Sequence, residues 1–205
     1  MNMKTWAADI IAADRKKALP VISFPAVQDM GITVAELINS ADNQARAMKL
    51  IADKLDTAAS VSFMDLSVEA EAFGSKIVVG AGRTGLYIEA IREVSKLIDD
   101  RPVLAGAIGP FSLAGRLMDV NEVMILCYEE PELVHAVLEK VTQFIISYVA
   151  AFKEAGADGV VLAEPLAGLL SPDLLAEFST PYVRRIVEAH QDDEFSIVYH
   201  NCGSS

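Results

Sequence analysis

The stretch RPVLAGAIGPFSLAGRLM (101–118) carries the decision about the fold. Its first part, PVLAGAIG (102–109), is apolar at almost every position. A strand without polar alternation is buried on both faces, as strands of a parallel sheet are. Gly109 and Pro110 then turn the chain, and FSLAG opens a short helix whose start faces the carboxyl end of that strand.

Runs of the same kind recur on both sides. PVISFPA (20–26), SVSFMDLS (60–67) and SKIVVGAG (75–82) precede it, and DGVVLAE (158–164) and FSIVYH (195–200) follow it. Between them the apolar spacing turns helical. Over 34–56, Leu37, Ala41, Ala45, Met48, Ile51 and Leu55 recur every three or four residues, with a break expected between Asn39 and Asp42. Over 84–99, Leu86, Ile88, Ile91, Val94, Leu97 and Ile98 do likewise. The stretch 131–155 opens with Pro131 and Glu132 and stops at Gly156. Ser171-Pro172 reads as an N-cap followed by proline at the first helical position, and Pro181 predicts a kink or two helices within 172–191.

Such β-α alternation, with no linker or repeat, predicts a parallel α/β fold, either a barrel or a doubly wound sheet. No GxGxxG follows the first run, which speaks against the dinucleotide-binding sheet. A (β/α)8 barrel of the TIM type takes typically ~250 residues. Read as such a barrel, the chain is incomplete, with about five β-α units and 75–82 as an extra hairpin strand. Residues 1–205 form a single α/β domain in this reading.

The composition, 52% hydrophobic over 205 residues, suffices for a sizeable core. A net charge of −12 repels phosphate backbones, so no nucleic-acid partner is expected. No run of about eighteen apolar residues is present, so no membrane span is expected. The opening MNMKTWAADIIAADRKKALP scatters Asp9, Asp14, Arg15, Lys16 and Lys17, which suits an amphipathic helix better than a secretory signal. Cys127 and Cys202 stand in unlike settings and suggest no disulfide framework, so a reducing cytoplasmic location is expected.

Chemistry concentrates where runs end. In YHNCG (199–203), a strand continuing to 202 puts His200 and Cys202 on one face at its carboxyl end, where parallel α/β folds bind ligands. One imidazole and one thiolate suit Zn²⁺, although a catalytic zinc usually takes three protein ligands. A packed histidine beside an inert thiol is the plainer reading of the same two residues. Gly203 allows a sharp turn after the pair. Asp65 ends VSFM as either a substrate-binding carboxylate or a turn acid. Glu69 and Glu71 lie in the loop that follows, as site support or as solvated acids. Glu164 ends DGVVLAE as an oxygen ligand, as a partner orienting the histidine, or as a loop acid facing water. Free amides at the Gly109-Pro110 turn can take an anionic ligand group. Cys127 reads as a core thiol, and His135 and His190 as surface or interface residues on outer helices.

FMDLSVEAEAFG, RPVLAGAIGPFSLAGRLM, ADGVVLAEPLAGLLSPDLLAEFSTPYVRRIV and IVYHNCG together resemble the uroporphyrinogen decarboxylase superfamily. Within it they resemble the methylcobamide:thiol methyltransferases, among them the methylcobalamin:coenzyme M methyltransferases of methanogens. The likeness runs over essentially the whole chain and about the first two thirds of a family-length one. It implies a (β/α)8 barrel. The decarboxylase branch carries an arginine-rich segment after its first strand, and here PVISFPAVQDMG (20–31) has no arginine. Asp65 falls where both branches have an acid. The His-x-Cys pair belongs to the methyltransferase branch, which binds zinc through it and a more distant cysteine, here expected beyond Ser205.

The resemblance further implies the chemistry. Zn²⁺ activates a small thiol such as coenzyme M, which takes the methyl group of a methylcobamide carried by a partner corrinoid protein. Asp65 and Glu164 orient zinc ligands or substrate, and Arg83 or the 109–112 turn receives the thiol's anionic end. Two further readings remain beside it. One is a uroporphyrinogen decarboxylase-like enzyme of tetrapyrrole biosynthesis. The other is a non-catalytic truncated barrel that covers its open edges by homo-oligomerisation or with a partner.

Overall fold

The computed structural model describes residues 1–22, 24–75 and 82–203. The elements along the chain are α1 (Met3–Ala12), α2 (Ala26–Met30), α3 (Val34–Ile38), α4 (Ala41–Lys54), β1 (Ser60–Val61), α5 (Val68–Ala72), α6 (Thr84–Val94) and β2 (Val103–Ile108). After these come α7 (Pro110–Met118), α8 (Val120–Glu129), α9 (Pro131–Glu154), β3 (Gly159–Ala163), a 3-10 turn (Ala167–Leu169), α10 (Pro172–Phe178), α11 (Thr180–His190) and β4 (Ser196–His200).

The strands form one parallel sheet in the order β1-β2-β3-β4. Leu104 pairs with Gly159, and Gly159 in turn with Ser196. Each strand lies beside its predecessor in the chain. Successive crossovers of this kind, right-handed as a rule, keep the crossover helices on one side and curl the sheet toward a barrel, whereas a doubly wound sheet reverses its strand order. The alternative left open by the sequence is thus decided in favour of the barrel type.

Side chains alternate between the two faces of the sheet. Val103, Ala105, Val160, Leu162 and Ile197 pack outward beneath the helices. Leu104, Val161 and Val198 point inward with Val61, and Met3 of α1 packs among them fully buried. Trp6 joins them, its Nε1 donating to Ala58 O at 3.1 Å.

The helices follow the local signals. Ser40 caps α4 by accepting from Asn43 N, so the predicted break between α3 and α4 is present. Ser171 caps α10, and Pro181 opens a separate α11. Gly156 closes the turn after α9 at φ 99°, where a side chain would strain the backbone. With 24 residues, α9 is long and apolar enough by composition to span a membrane. Its stripe from Val134 through Leu138, Val141, Ile145 and Val149 to Phe152 is instead buried in the core.

Two expectations are corrected. The run 20–26 forms no strand over its described residues, and α2 already begins at Ala26. Pro20 and Pro25 each remove a ladder donor. The bond from Ala58 N to Ala18 O, 2.8 Å, ties the segment beside β1. The sheet therefore has four strands among the described residues where five were expected. The stretch SVEAEAFG, expected as a loop, contains the short helix α5, which buries both Glu69 and Glu71. Most of the hairpin strand expected at 75–82 lies outside the described residues.

Candidate functional site

All four strands end on the same side, and the acids, the histidine and the cysteine singled out above stand there. His200 closes β4, and its Nε2 lies 3.2 Å from Cys202 Sγ. The strand's alternation gives His200 the face of Val198. That face borders a cavity of ≈ 270 Å³ walled by Leu19, Val21, Val61, Val161 and Val198, with His200 as a polar lining residue. Cys202 is exposed and carries a free thiol.

The loop after β3 backs this pair. A Cβ on Gly168 would stand 2.5 Å from Gly203 N and 2.6 Å from Gly203 Cα. A Cβ on Gly203 would in turn collide with the Gly168 Cα and carbonyl oxygen, so close backbone approach requires glycine at both positions. The chain bends at Gly203 as expected, but without a positive φ.

Asp65 follows β1 and is drawn into a buried ionic network. Its Oδ1 accepts from Ser67 Oγ at 2.6 Å and from Ser67 N at 3.1 Å, and its Oδ2 accepts from Arg83 Nη1 at 2.6 Å. Burial pushes its carboxyl up, but the Ser67 hydroxyl, Arg83 and the Ser67 amide outweigh this and hold it below the usual range. Arg83, with 3% of its side chain exposed, also donates from Nε to Glu71 Oε1 at 3.0 Å and from Nη2 to Glu71 and to Ser67 Oγ. Two carboxylates neutralise it, so Arg83 is not the free cation expected for an acceptor's anionic end. Burial disfavours its charge, and those carboxylates more than restore it. Beside them, Glu69 accepts from Ile108 N at 2.9 Å while its other oxygen is buried without a partner. Burial raises the Glu69 carboxyl to about 7.

Glu164 departs from expectation. It is fully buried, and its carboxylate caps α7 from outside that helix. Oε1 accepts from Phe111 N at 2.9 Å, and Oε2 accepts from Ser112 N at 3.2 Å and Ser112 Oγ at 2.9 Å. These satisfy donors that the first turn cannot pair within the helix. Burial lifts its carboxyl to about 7 against those three donors. The expected anion site at Gly109 and Pro110 is occupied in the same way. Pro110 has no N–H, Gly109 N donates to Ala163 O at 2.8 Å, and the next two amides serve Glu164. The Glu164 side chain therefore braces the mouth from behind instead of facing water or the imidazole, while its backbone N donates to His200 O at 2.9 Å.

Cys127, His135 and His190 lie away from the strand ends. Cys127 is buried, and burial pushes its thiol up to about 11. His135 Nδ1 lies 2.8 Å from Tyr182 Oη, and His190 Nε2 lies 2.8 Å from Ile146 O, both among the outer helices.

As a metal site, the donor set fits in part. A thiol and an imidazole nitrogen in contact, at a strand end and open to solvent, suit a borderline-soft divalent ion. Among the described residues no third His, Cys, Asp or Glu completes a group with them.

Comparison with known proteins agrees with this architecture. Residues 80–205 match the family model "Uroporphyrinogen decarboxylase (URO-D)". The uroporphyrinogen decarboxylase of Desulfotalea psychrophila is 29% identical over 185 residues, covering 75% of this chain and 54% of that protein. The methylcobamide:CoM methyltransferase MtbA of Methanosarcina acetivorans is 32% identical over 127 residues, covering 60% of this chain and 37% of that protein. The chain thus spans between about a third and about a half of the length of these curated relatives. A solved methyltransferase from Methanosarcina mazei matches 99% of this chain and 70% of its own, with a TM-score of 0.85 at 22% identity, which shows the shared fold.

Proposed function

The chain belongs to the uroporphyrinogen decarboxylase family, and from that premise we propose that the protein is a methyltransferase carrying a methyl group from a methylated corrinoid to a small thiol such as coenzyme M. The observation that carries this reading is the contact of His200 Nε2 with Cys202 Sγ at the end of β4. The absence of arginine from 20–31 and the matched methylcobamide:CoM methyltransferases support it.

His200 and Cys202 would hold Zn²⁺ together with a donor from outside the described residues. When bound, the ion would supply a Lewis acid that favours the thiolate form of an acceptor thiol near neutral pH. The thiolate sulfur forms the S–CH₃ bond, the cobalt–carbon bond breaks, and its electron pair reduces cobalt(III) to cobalt(I). The thiol proton passes to solvent. Asp65, kept ionised by Ser67 and Arg83, fixes a negative charge at the mouth for orienting a bound group. Glu164 holds α7 and the following loop in place behind the pair. The corrinoid arrives on a partner protein at the open end of the strands.

For the decarboxylase alternative, Asp65 after β1 fits equally well and separates nothing, while the arginine-free 20–31 segment stands against it. Metal analysis of the purified protein with His200→Ala and Cys202→Ser variants tests the proposal. Each variant is expected to lose most of its bound zinc, and unchanged zinc in Cys202→Ser contradicts it.

A further inference from the structure

We propose that Gly168 is a positioning residue for the His200–Cys202 pair, its backbone pressed against Gly203 so that the turn after β4 seats the Cys202 thiol beside the imidazole. This rests on the zinc reading above and adds a residue to it.

The contact is reciprocal. A Cβ on Gly168 would lie 2.5 Å from Gly203 N, 2.6 Å from its Cα and 2.7 Å from Asn201 Oδ1. A Cβ on Gly203 would collide with the Gly168 Cα and carbonyl oxygen. Gly168 and Gly203 meet backbone to backbone, so turning the Asn201 side chain aside would not relieve the approach. Asn201 Oδ1, one of the atoms in the way, itself accepts from Gly203 N at 3.0 Å and so shapes the segment around Cys202.

The Gly168 side cannot retreat. Leu166 N donates to Ser112 Oγ at 3.1 Å, and that hydroxyl donates to the buried Glu164 at 2.9 Å. Leu169 N and Leu170 N bond back to Leu166 O and Ala167 O, and Ala167 is fully buried. The Leu166 side chain packs against Gly115 of α7. Any bulk at 168 therefore displaces 201–203. To relieve a 2.5 Å approach, the displacement must reach about half an ångström, more than the roughly 0.2 Å that metal–ligand distances tolerate.

The test is zinc affinity, by competition with a chromophoric chelator, together with the cobalt(II) spectrum of the same proteins. Gly168→Ala is expected to weaken zinc at least tenfold and to reduce the thiolate-to-cobalt charge-transfer band. Leu169→Ala, on the same turn but 63% exposed, is expected to change neither. Ser112→Ala releases the loop without adding bulk, keeps the inference testable if Gly168→Ala does not fold, and is expected to weaken zinc in the same direction. Zinc affinity within twofold of the unsubstituted protein in the folded variants, with an unchanged spectrum, overturns the inference while Cys202→Ser still abolishes the band. An unchanged band in Cys202→Ser overturns the zinc reading itself, and this inference with it.

Discussion

Arg83 donates from Nη1 to Asp65 Oδ2 at 2.6 Å, joining the end of β1 to the residue just before α6 across 18 positions of sequence. The guanidinium is buried and bonds Glu71 as well. Removing it strands two carboxylates in a site built for their charge. Arg83→Ala is expected to lower unfolding stability by about 3–5 kcal/mol, measured by urea denaturation. Arg83→Lys recovers only part of this, because one ammonium cannot reproduce the fork that serves Asp65, Ser67 and Glu71 together. A loss below about 1 kcal/mol for Arg83→Ala, the scale of an exposed ion pair, contradicts the buried network.

Glu164 sits between β3 and the first turn of α7 and satisfies Phe111 N, Ser112 N and Ser112 Oγ. Glu164→Ala leaves these buried donors without a partner, at an expected cost of about 2–4 kcal/mol. The same variant is expected to lower the hydrogen-exchange protection of α7 more than that of α9. Equal protection in both helices contradicts the capping role.

Glu69 gives a pH dependence of defined sign. Its folded carboxyl titrates near 7 against an ordinary 4.5, because it is buried with one oxygen unpaired. Between those values the folded state binds more protons than the unfolded state, so stability falls as pH rises through the window. Glu69→Gln keeps an oxygen for Ile108 N and removes the titration. It is expected to be neutral at pH 5 and to stabilise by roughly 1–3 kcal/mol at pH 8. Thermal melts at the two pH values check this, and equal effects at both contradict it.

Much of this was legible in the chain because the informative signals were local. The continuous apolar runs 102–109, 158–164 and 195–200 became β2, β3 and β4, and Pro181 and Ser171 marked helix boundaries. His200 and Cys202 were expected to meet on a strand continuing to 202; β4 ends at His200, and the segment after it brings the thiol to 3.2 Å from the imidazole. The misreadings have equally local causes. The run at 20–26 looked like a strand because composition outweighed two prolines. Helix α5 is too short, at five residues, to display a period. What remained hidden depends on distance along the chain. Asp65 is joined to Arg83 over 18 residues, Glu164 to Phe111 over 53, and Gly168 meets Gly203 over 35. No periodicity or spacing encodes such pairs, and only the β-α crossovers bring them together.

The central claim is methyl transfer to a thiol at His200 and Cys202. Its most direct test is incubation of the zinc-loaded protein with methylcobalamin and 2-mercaptoethanesulfonate, following loss of the methyl-cobalt absorbance and formation of the methyl thioether. The account predicts thioether in step with demethylated cobalamin, abolished by Cys202→Ser. No thioether from the zinc-loaded protein, with decarboxylation of uroporphyrinogen in its place, contradicts it.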